Sequence, residues 1–403
     1  MKAPDGQIDL VAKLAGVGLM AGMLISWRLW MSAGRVFPEV PLIPFFPDLP
    51  VALNGMLYGG CLTAILFMLR GVRQSALSVM FVFLVVLLLG DQMRWQPWVW
   101  HYGLLLGAFA LFRSSGRPLE LSLALKMITI AFYFWAGFHK LGGPFEDFYG
   151  SALAKRWIEE APLLISNLIA GGGKFIPWIE ILTAVLLAVP QLVARRIGVL
   201  LACFVHLGIL SWLVSMNLNH VVWSWNVVAP LIVFFLFWPR AQRAGESEKT
   251  GTSFPSIVLL GVLGALTFIA PALSWTQRWD RSLSFHLYSG RAQRVLLALT
   301  EETLENKAPD LKPWAKPSPH WPRMMQVDLE DWALNELNVA FVGEDRVVLA
   351  LSKTLTERFS LDETDTFFYR DFPKVRTLGW GMWRARNVTT MRSLPDLQPL
   401  PDS

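Results

Sequence analysis

The sequence predicts an all-α polytopic membrane bundle of about eight or nine transmembrane helices, with a small C-terminal α/β extracytoplasmic domain. Two observations support this fold class. Hydrophobic residues make up 54% of the 403 residues and the mean hydropathy is +0.42, which is too apolar for a soluble globule. These residues form long runs as far as Trp275, after which charged residues and prolines become frequent. We therefore predict a transmembrane domain over residues 1–275 and an extracytoplasmic domain over residues 276–403.

Nine apolar segments are the candidate membrane helices, because about 20 apolar residues at 1.5 Å each cross the roughly 30 Å hydrocarbon core. The N-terminal stretch MKAPDGQIDL lacks the charged region, apolar core and cleavage site of a signal peptide. The first segment is therefore expected to stay as a helix. The segments run approximately over Leu10–Met31, Val51–Leu69, Ala76–Leu89, Trp98–Phe112, Leu119–Leu141, Phe175–Val189, Ile197–Met216, Trp223–Trp238 and Pro255–Trp275.

The loops between these segments predict the orientation. Basic residues fall in alternate short loops, whereas the intervening loop 217–222 carries no Lys or Arg. Short loops rich in Lys and Arg stay on the cytoplasmic side of a membrane. We therefore predict a multi-pass protein of an inner or plasma membrane, with a cytoplasmic N-terminus and an extracytoplasmic C-terminal domain. The basic loop residues are Arg70, Arg73, Arg113, Arg117, Arg195, Arg196, Arg240, Arg243 and Lys249.

Two stretches outside the apolar runs carry further expectations. Residues 142–173 are predicted to form a loop and then an amphipathic helix at the outer surface, with Gly171–Gly173 as a flexible connector. In the C-terminal domain we predict a helix over Asp328–Leu337 and a strand over Arg346–Leu351.

The formal charge of +5 does not indicate a nucleic-acid partner, because the basic residues lie mostly between apolar segments. Both cysteines, Cys61 and Cys203, lie inside apolar runs and are expected to be buried thiols. The six histidines show no metal-ligand spacing, so no metal is predicted.

Lys140 is the strongest candidate for chemistry. It ends the fifth apolar segment at the predicted outer face, where two interpretations are open: the ammonium snorkels to the headgroups, or it acts as a general base in a cavity. The predicted topology brings other polar groups to the same face, which favours the second interpretation. Asp91, Arg94 and Tyr102 lie around one hairpin at this face, and Glu180 lies about two turns into the sixth apolar segment. His206 lies deeper, near mid-membrane in the seventh segment.

Three of these stretches resemble one family. FYFWAGFHKL resembles the segment of vitamin K-dependent gamma-glutamyl carboxylases that ends in a lysine pair, and Lys140 takes the position of the second lysine, the proposed base. DQMRWQPWVWHYGLLL is similar to another carboxylase segment and shares Asp91 and Tyr102 with it. FVHLGILSW is similar to the family's Phe-His helix, with His206 at the histidine. The likeness covers roughly residues 76–238 and points to the wider horizontally transferred transmembrane (HTTM) domain family.

The resemblance implies a carboxylase-like enzyme, a lyase or oxygenase, that uses a reduced quinone of the vitamin K type. On this basis Lys140 and His206 are predicted to be catalytic. The predicted cofactor-binding residues are Asp91, Arg94, Tyr102 and Glu180. Two departures matter: the family's functional histidine is matched by Trp98, and the large lumenal domain of the carboxylases has no counterpart in this chain.

A second hypothesis stays open beside the enzyme. The same scaffold can serve as a non-catalytic lipid-binding, quinone-binding or assembly protein, with residues 276–403 contacting an extracytoplasmic protein or peptide. Membrane lipid is an expected partner in both cases. Transport is disfavoured, because the polar groups become fewer toward the predicted cytoplasmic side and define no continuous path.

Overall fold

The computed structural model describes residues 5–43, 45–113, 117–238, 254–290, 294–319, 321–361 and 366–371. These residues are mostly helical, with one small antiparallel sheet near the C-terminus. The α-helices are α1 (Asp5–Ile25), α2 (Trp27–Met31), α3 (Val51–Arg70), α4 (Gln74–Gly90), α5 (Pro97–Phe112), α6 (Pro118–Phe138), α7 (Gly143–Phe148), α8 (Lys155–Glu160), α9 (Leu163–Gly172), α10 (Ile176–Ala188), α11 (Leu192–Ser215), α12 (Val221–Phe237), α13 (Phe254–Gly264), α14 (Glu301–Asn306), α15 (Leu329–Leu337) and α16 (Asp345–Phe359). The strands are β1 (Arg294–Thr300), β2 (Ala315–Pro317), β3 (Met324–Asp328) and β4 (Thr366–Asp371).

Apolar helices dominate the described residues, and six continuous helical runs are long and apolar enough to cross a membrane: residues 6–25, 51–70, 118–138, 163–188, 192–215 and 254–276. Three more, α4, α5 and α12, are apolar but shorter. These helices indicate a membrane protein, and each of the nine predicted segments falls on a helix. The number of helices that span the membrane, the orientation and the kind of membrane stay predictions. Arg240, Arg243 and Lys249, which contribute to the predicted orientation, lie outside the described residues.

The chain divides into two compact units. The first, called the helical unit below, contains the described parts of residues 1–25, 55–87 and 95–291. The second, called the sheet unit, contains those of 26–54, 88–94 and 292–403. Backbone hydrogen bonds from Leu42 N to Leu89 O and from Gln92 N to Val40 O join the two N-terminal segments of the sheet unit. The predicted division at residue 275 does not anticipate these two segments.

Glycines allow close helix packing in the helical unit. A Cβ atom at Gly137 of α6 would lie 2.5 Å from the backbone oxygen of Pro177, at the start of α10. On α1, Gly18 faces the ring of Tyr102 and Gly22 faces the ring of Trp98 in the same way. These contacts fix α6 against α10 and α1 against α5, because no larger residue fits at those positions.

The stretch 142–173 is more helical than predicted. It begins with the short helix α7, and residues 163–188 form one helical run that includes Gly171–Gly173. The prediction of a connector at these glycines is therefore wrong. A glycine costs about 1 kcal/mol in a helix, and the apolar residues on both sides continue the helical pattern. Gly173 also leaves the space that the ring of Tyr149 occupies, with 2.2 Å from a Cβ position to Tyr149 Cδ1.

The sheet of the sheet unit has the strand order β2-β3-β1-β4, and all its neighbours are antiparallel. The predicted helix over Asp328–Leu337 is confirmed as α15, and the Asp328 side chain caps it by accepting from Glu330 N at 2.9 Å. The predicted strand over Arg346–Leu351 is wrong, because these residues belong to α16. That helix buries Val347, Leu351 and Leu355, which recur every four residues along one face.

Candidate functional site: a buried lysine–glutamate pair beside two histidines

Lys140 is paired inside the helical unit. Its Nζ atom lies 2.7 Å from both Oε1 and Oε2 of Glu180, and the two side chains are only 5% and 3% exposed. The turn after α6 directs Lys140 inward, with Lys140 N donating to Gly137 O at 3.0 Å. Gly137 itself packs against Glu180 on α10. The ammonium is thus turned into the protein and not toward solvent.

Burial of this ion pair favours a neutral form, in which the proton has moved from the lysine to the glutamate. Desolvation of two ions costs several kcal/mol each, and good geometry is needed to offset that cost. Both carboxylate oxygens contact the same ammonium, so a proton can pass from Nζ to Glu180 without moving heavy atoms. The amine–carboxylic acid form carries no separated charge.

His206 on α11 sits in a second hydrogen-bonded group. Its Nε2 lies 2.8 Å from the hydroxyl of Tyr133, and its Nδ1 lies 2.8 Å from Oδ1 of Asn226. The Asn226 amide nitrogen donates to Val222 O at 2.8 Å, so its oxygen is the atom that faces the imidazole. Asn226 Oδ1 can only accept. His206 Nδ1 therefore carries the proton, and Nε2 accepts from the Tyr133 hydroxyl.

Both groups include a residue of α6 or of the turn that follows it. Tyr133 and Gly137 are spaced i and i+4 on α6, and Lys140 lies in the turn after that helix. The structure thus pairs Lys140 with Glu180 from the predicted set, and it places His206 in the second group with Tyr133. Tyr133 was missed, although its position two turns before Lys140 is a signal for it.

His101 on α5 is a third buried polar side chain, and it lies among aromatic rings. Trp225 Nε1 donates to His101 Nδ1 at 3.1 Å. The imidazole stacks on Phe132 with 4.9 Å between ring centroids, and Phe132 also stacks on His206 at 6.2 Å. Two pairs of neighbouring residues contact the two histidines. On α6, Phe132 stacks on both imidazoles and Tyr133 bonds to His206. On α12, Trp225 bonds to His101 and Asn226 bonds to His206. The predicted set did not include His101.

Tyr102 is fully buried in the helical unit. Its hydroxyl has no hydrogen-bond partner among the described residues and lies where a Cβ atom at Gly18 would be only 2.2 Å away. Trp98, which the resemblance to the carboxylases matches to their functional histidine, is 1% exposed and packs against Gly22 of α1. An indole cannot exchange a proton as an imidazole does, so Trp98 is a packing residue.

Asp91 and Arg94 belong to the sheet unit and are paired there. Asp91 Oδ2 accepts from Arg35 at 2.8 Å, and Arg94 contacts Glu39 Oε1 at 3.3 Å. Burial raises the pKa of Glu39, and the charge of Asp91 adds to that rise. Burial also lowers the pKa of Arg94. That Asp91 and Arg94 share a cavity with Lys140 stays a prediction.

Within the part of the chain that the structure describes, no three His, Cys, Asp or Glu side chains form a group that could hold a metal ion. The fold and the buried polar groups define a class: a helical membrane protein with a buried lysine–glutamate pair among its helices. Comparison of the chain with protein-family models, with curated proteins and with solved structures gives no match. Membership of the HTTM family stays a prediction.

Proposed function

We propose that this protein is an HTTM-type, carboxylase-like membrane enzyme in which Lys140 acts as the base, with a reduced quinone as cosubstrate. The substrate would come from the lipid phase or the extracytoplasmic side. One observation supports the proposal above the others: the buried contact of 2.7 Å between Lys140 Nζ and both oxygens of Glu180. Tyr133 on α6 and His206 on α11 add a second buried hydrogen-bonded group, which a lone structural ion pair does not need.

The proton balance of the pair is simple. At rest the pair holds one proton, as the Lys140 ammonium beside the Glu180 carboxylate. Transfer of that proton to Glu180 frees the amine of Lys140, which is then the base. When an acidic O–H or C–H of the substrate gives up its proton, the pair holds two, as an ammonium and a carboxylic acid. The substrate keeps the electron pair and becomes the anion. Glu180 acts here as a positioning residue, because it holds Nζ in place and supplies the second site for a proton.

The described residues fit a quinone-class molecule. His101 Nε2 is a buried polar atom without a partner among the described residues, and the rings around His101 are aromatic and uncharged. A reduced quinone supplies two electrons and acidic O–H groups when it is bound. The neighbouring helices would exclude water, which strengthens every charge interaction at Lys140.

The test uses the full chain in detergent with added menadiol. We expect the protein to accelerate the oxidation of menadiol by O₂, measured as hydrogen peroxide release. Lys140→Ala is expected to lose this acceleration at least about tenfold, within the usual range for a removed general base. Lys126→Ala, at a half-buried lysine on the same helix, is the matched control. Equal rates in Lys140→Ala and wild type, with both variants folded, would remove Lys140 from catalysis.

A second candidate is a non-catalytic quinone- or lipid-binding protein. It is favoured by Trp98, which stands buried where the carboxylases have a histidine. On this account the ion pair only holds α6 to α10, and the double variant Lys140→Met with Glu180→Leu would keep the fold and any co-purifying quinone. Lipid extraction followed by mass spectrometry measures that quinone. The enzyme account predicts that the same double variant retains quinone and loses menadiol oxidation.

A further inference from the structure

Partnerless polar atoms are concentrated where the first turn of α5 meets residues 279–285. The two stretches contact each other through Trp100 and Trp279, with 6.4 Å between ring centroids, and through His101 and Phe285, at 6.1 Å. Buried polar atoms are paired in the great majority of cases, so a local group of exceptions needs an explanation. The buried atoms without a hydrogen-bond partner among the described residues here are Trp100 Nε1, His101 Nε2, Trp279 Nε1 and Ser282 Oγ.

These atoms are chiefly donors. An indole N–H can only donate, and the Ser282 hydroxyl carries a proton as well. The same rule fixes the state of His101. Because Trp225 Nε1 donates to His101 Nδ1 at 3.1 Å, Nδ1 must present its lone pair, and the proton of the neutral imidazole is on Nε2. His101 is 1% exposed, so this N–H is a buried donor held ready in one tautomer.

The surroundings of His101 select the acceptor. The rings that contact its imidazole are those of Tyr102, Phe132, Trp225 and Phe285, which carry no charge. A carboxylate or phosphate would need a cation to offset its desolvation. A neutral carbonyl oxygen on a flat ring needs only a donor and aromatic walls. On the basis of the proposed function, we infer that His101 Nε2–H is the hydrogen-bond donor to a carbonyl oxygen of the quinone-class ligand. Trp225 is the positioning residue that sets its tautomer.

The test measures binding of menadione to the delipidated full chain by equilibrium dialysis in detergent, with uptake by empty micelles subtracted. We expect saturable binding to the wild type and about tenfold weaker binding to His101→Phe, as for the loss of one good hydrogen bond. His101→Gln keeps an N–H donor and is expected to stay within about threefold of wild type. His220→Phe, at a histidine bonded to Asn217 on another loop, is the matched control.

Trp225→Phe is an independent test. It keeps His101 but removes the indole N–H that fixes the His101 tautomer, and we expect weaker menadione binding in this variant too. Thermal unfolding of each variant shows whether it folds. If folded His101→Phe and Trp225→Phe both bind menadione as wild type does, the partner of Nε2 is an ordered water and the inference is wrong, while the role of Lys140 is untouched. If the wild type shows no saturable binding, the quinone class fails and this inference fails with it. In that case the rate of menadiol oxidation in Lys140→Ala still tests, independently of binding, whether Lys140 is the base.

Discussion

Gly137 of α6 and Glu180 of α10 are so close that a Cβ atom on the glycine would lie 2.9 Å from the Glu180 Cβ. This contact sets the distance at which Lys140, one turn further along the chain, meets the carboxylate. Gly137→Ala should therefore push α6 from α10 and weaken the ion pair. Overpacking of this kind costs on the order of 1–3 kcal/mol.

The measurement for Gly137 is unfolding of the purified protein in detergent. Gly103→Ala on α5 is the control, because a Cβ there meets nothing within 4 Å and alanine favours a helix. We expect Gly137→Ala to lower the unfolding midpoint and Gly103→Ala to leave it unchanged or raise it. An equal effect of both substitutions would show that the close approach is not required.

The ion pair itself can be tested by a double-mutant cycle with Lys140→Met and Glu180→Gln. Each single variant leaves a buried polar or charged group without its partner, at a cost on the order of 3–5 kcal/mol. The double variant should cost clearly less than the sum of the two, because neither charge remains. Additive costs would mean that Lys140 and Glu180 do not contact each other in the folded protein.

Tyr133→Phe removes the hydroxyl that donates to His206 Nε2 while keeping the ring. His206 then has a buried acceptor without a partner, at a cost of about 1–3 kcal/mol. Adding His206→Leu to this variant should recover part of the loss, whereas the same substitution in the wild type should not. Denaturant unfolding of the four proteins measures this difference, and no recovery in the double variant would argue against the hydrogen bond.

Glu330 in the sheet unit predicts a pH dependence. Burial raises its pKa from about 4.5 to about 7, and Asp328 and Asp331 add to the rise, while the backbone N–H of Phe341 opposes it. The folded state thus binds this proton more tightly than the unfolded state. Its contribution to stability is complete below about pH 4.5 and is lost as the pH rises through about 7.

Glu330→Gln should remove this loss. The amide can still accept from Phe341 N, which donates to Glu330 Oε2 at 2.9 Å. We expect the variant to protect α15 from hydrogen exchange better than the wild type at about pH 8, by on the order of 1–3 kcal/mol, and to match it at about pH 5. Comparison at the same pH cancels the intrinsic exchange rate. A difference that is the same at both pH values would contradict the raised pKa.

Much of the helical architecture could be predicted, because apolar runs of membrane length leave the chain few alternatives. The site was partly predictable for the same reason: Lys140, Glu180 and His206 are ionisable residues in apolar helices and need partners. The pairing of Lys140 with Glu180 could not be predicted, because it depends on the close approach of α6 and α10 that Gly137 allows. The partners of Asp91 and Arg94 lie in the proline-rich stretch around Arg35 and Glu39, where no periodicity marks a contact.

Short apolar runs are ambiguous in the C-terminal part of the chain. Residues 346–351 fit a buried strand as well as a helix when taken alone. The helical period becomes visible only when Leu355 and Phe359 are included, both of which are buried in α16. The local window was too short to reveal the amphipathic face.

The most direct test of the proposed proton acceptance by Lys140 and Glu180 is an infrared difference spectrum of the full protein, recorded when menadiol is added without oxygen. If Lys140 and Glu180 accept the proton that menadiol gives up, the pair gains a carboxylic acid, and a new band of a protonated carboxyl group should form. Glu180→Gln should lack this band, and Lys126→Ala should retain it. A wild-type spectrum without the band, or the same band in Glu180→Gln, would contradict the account.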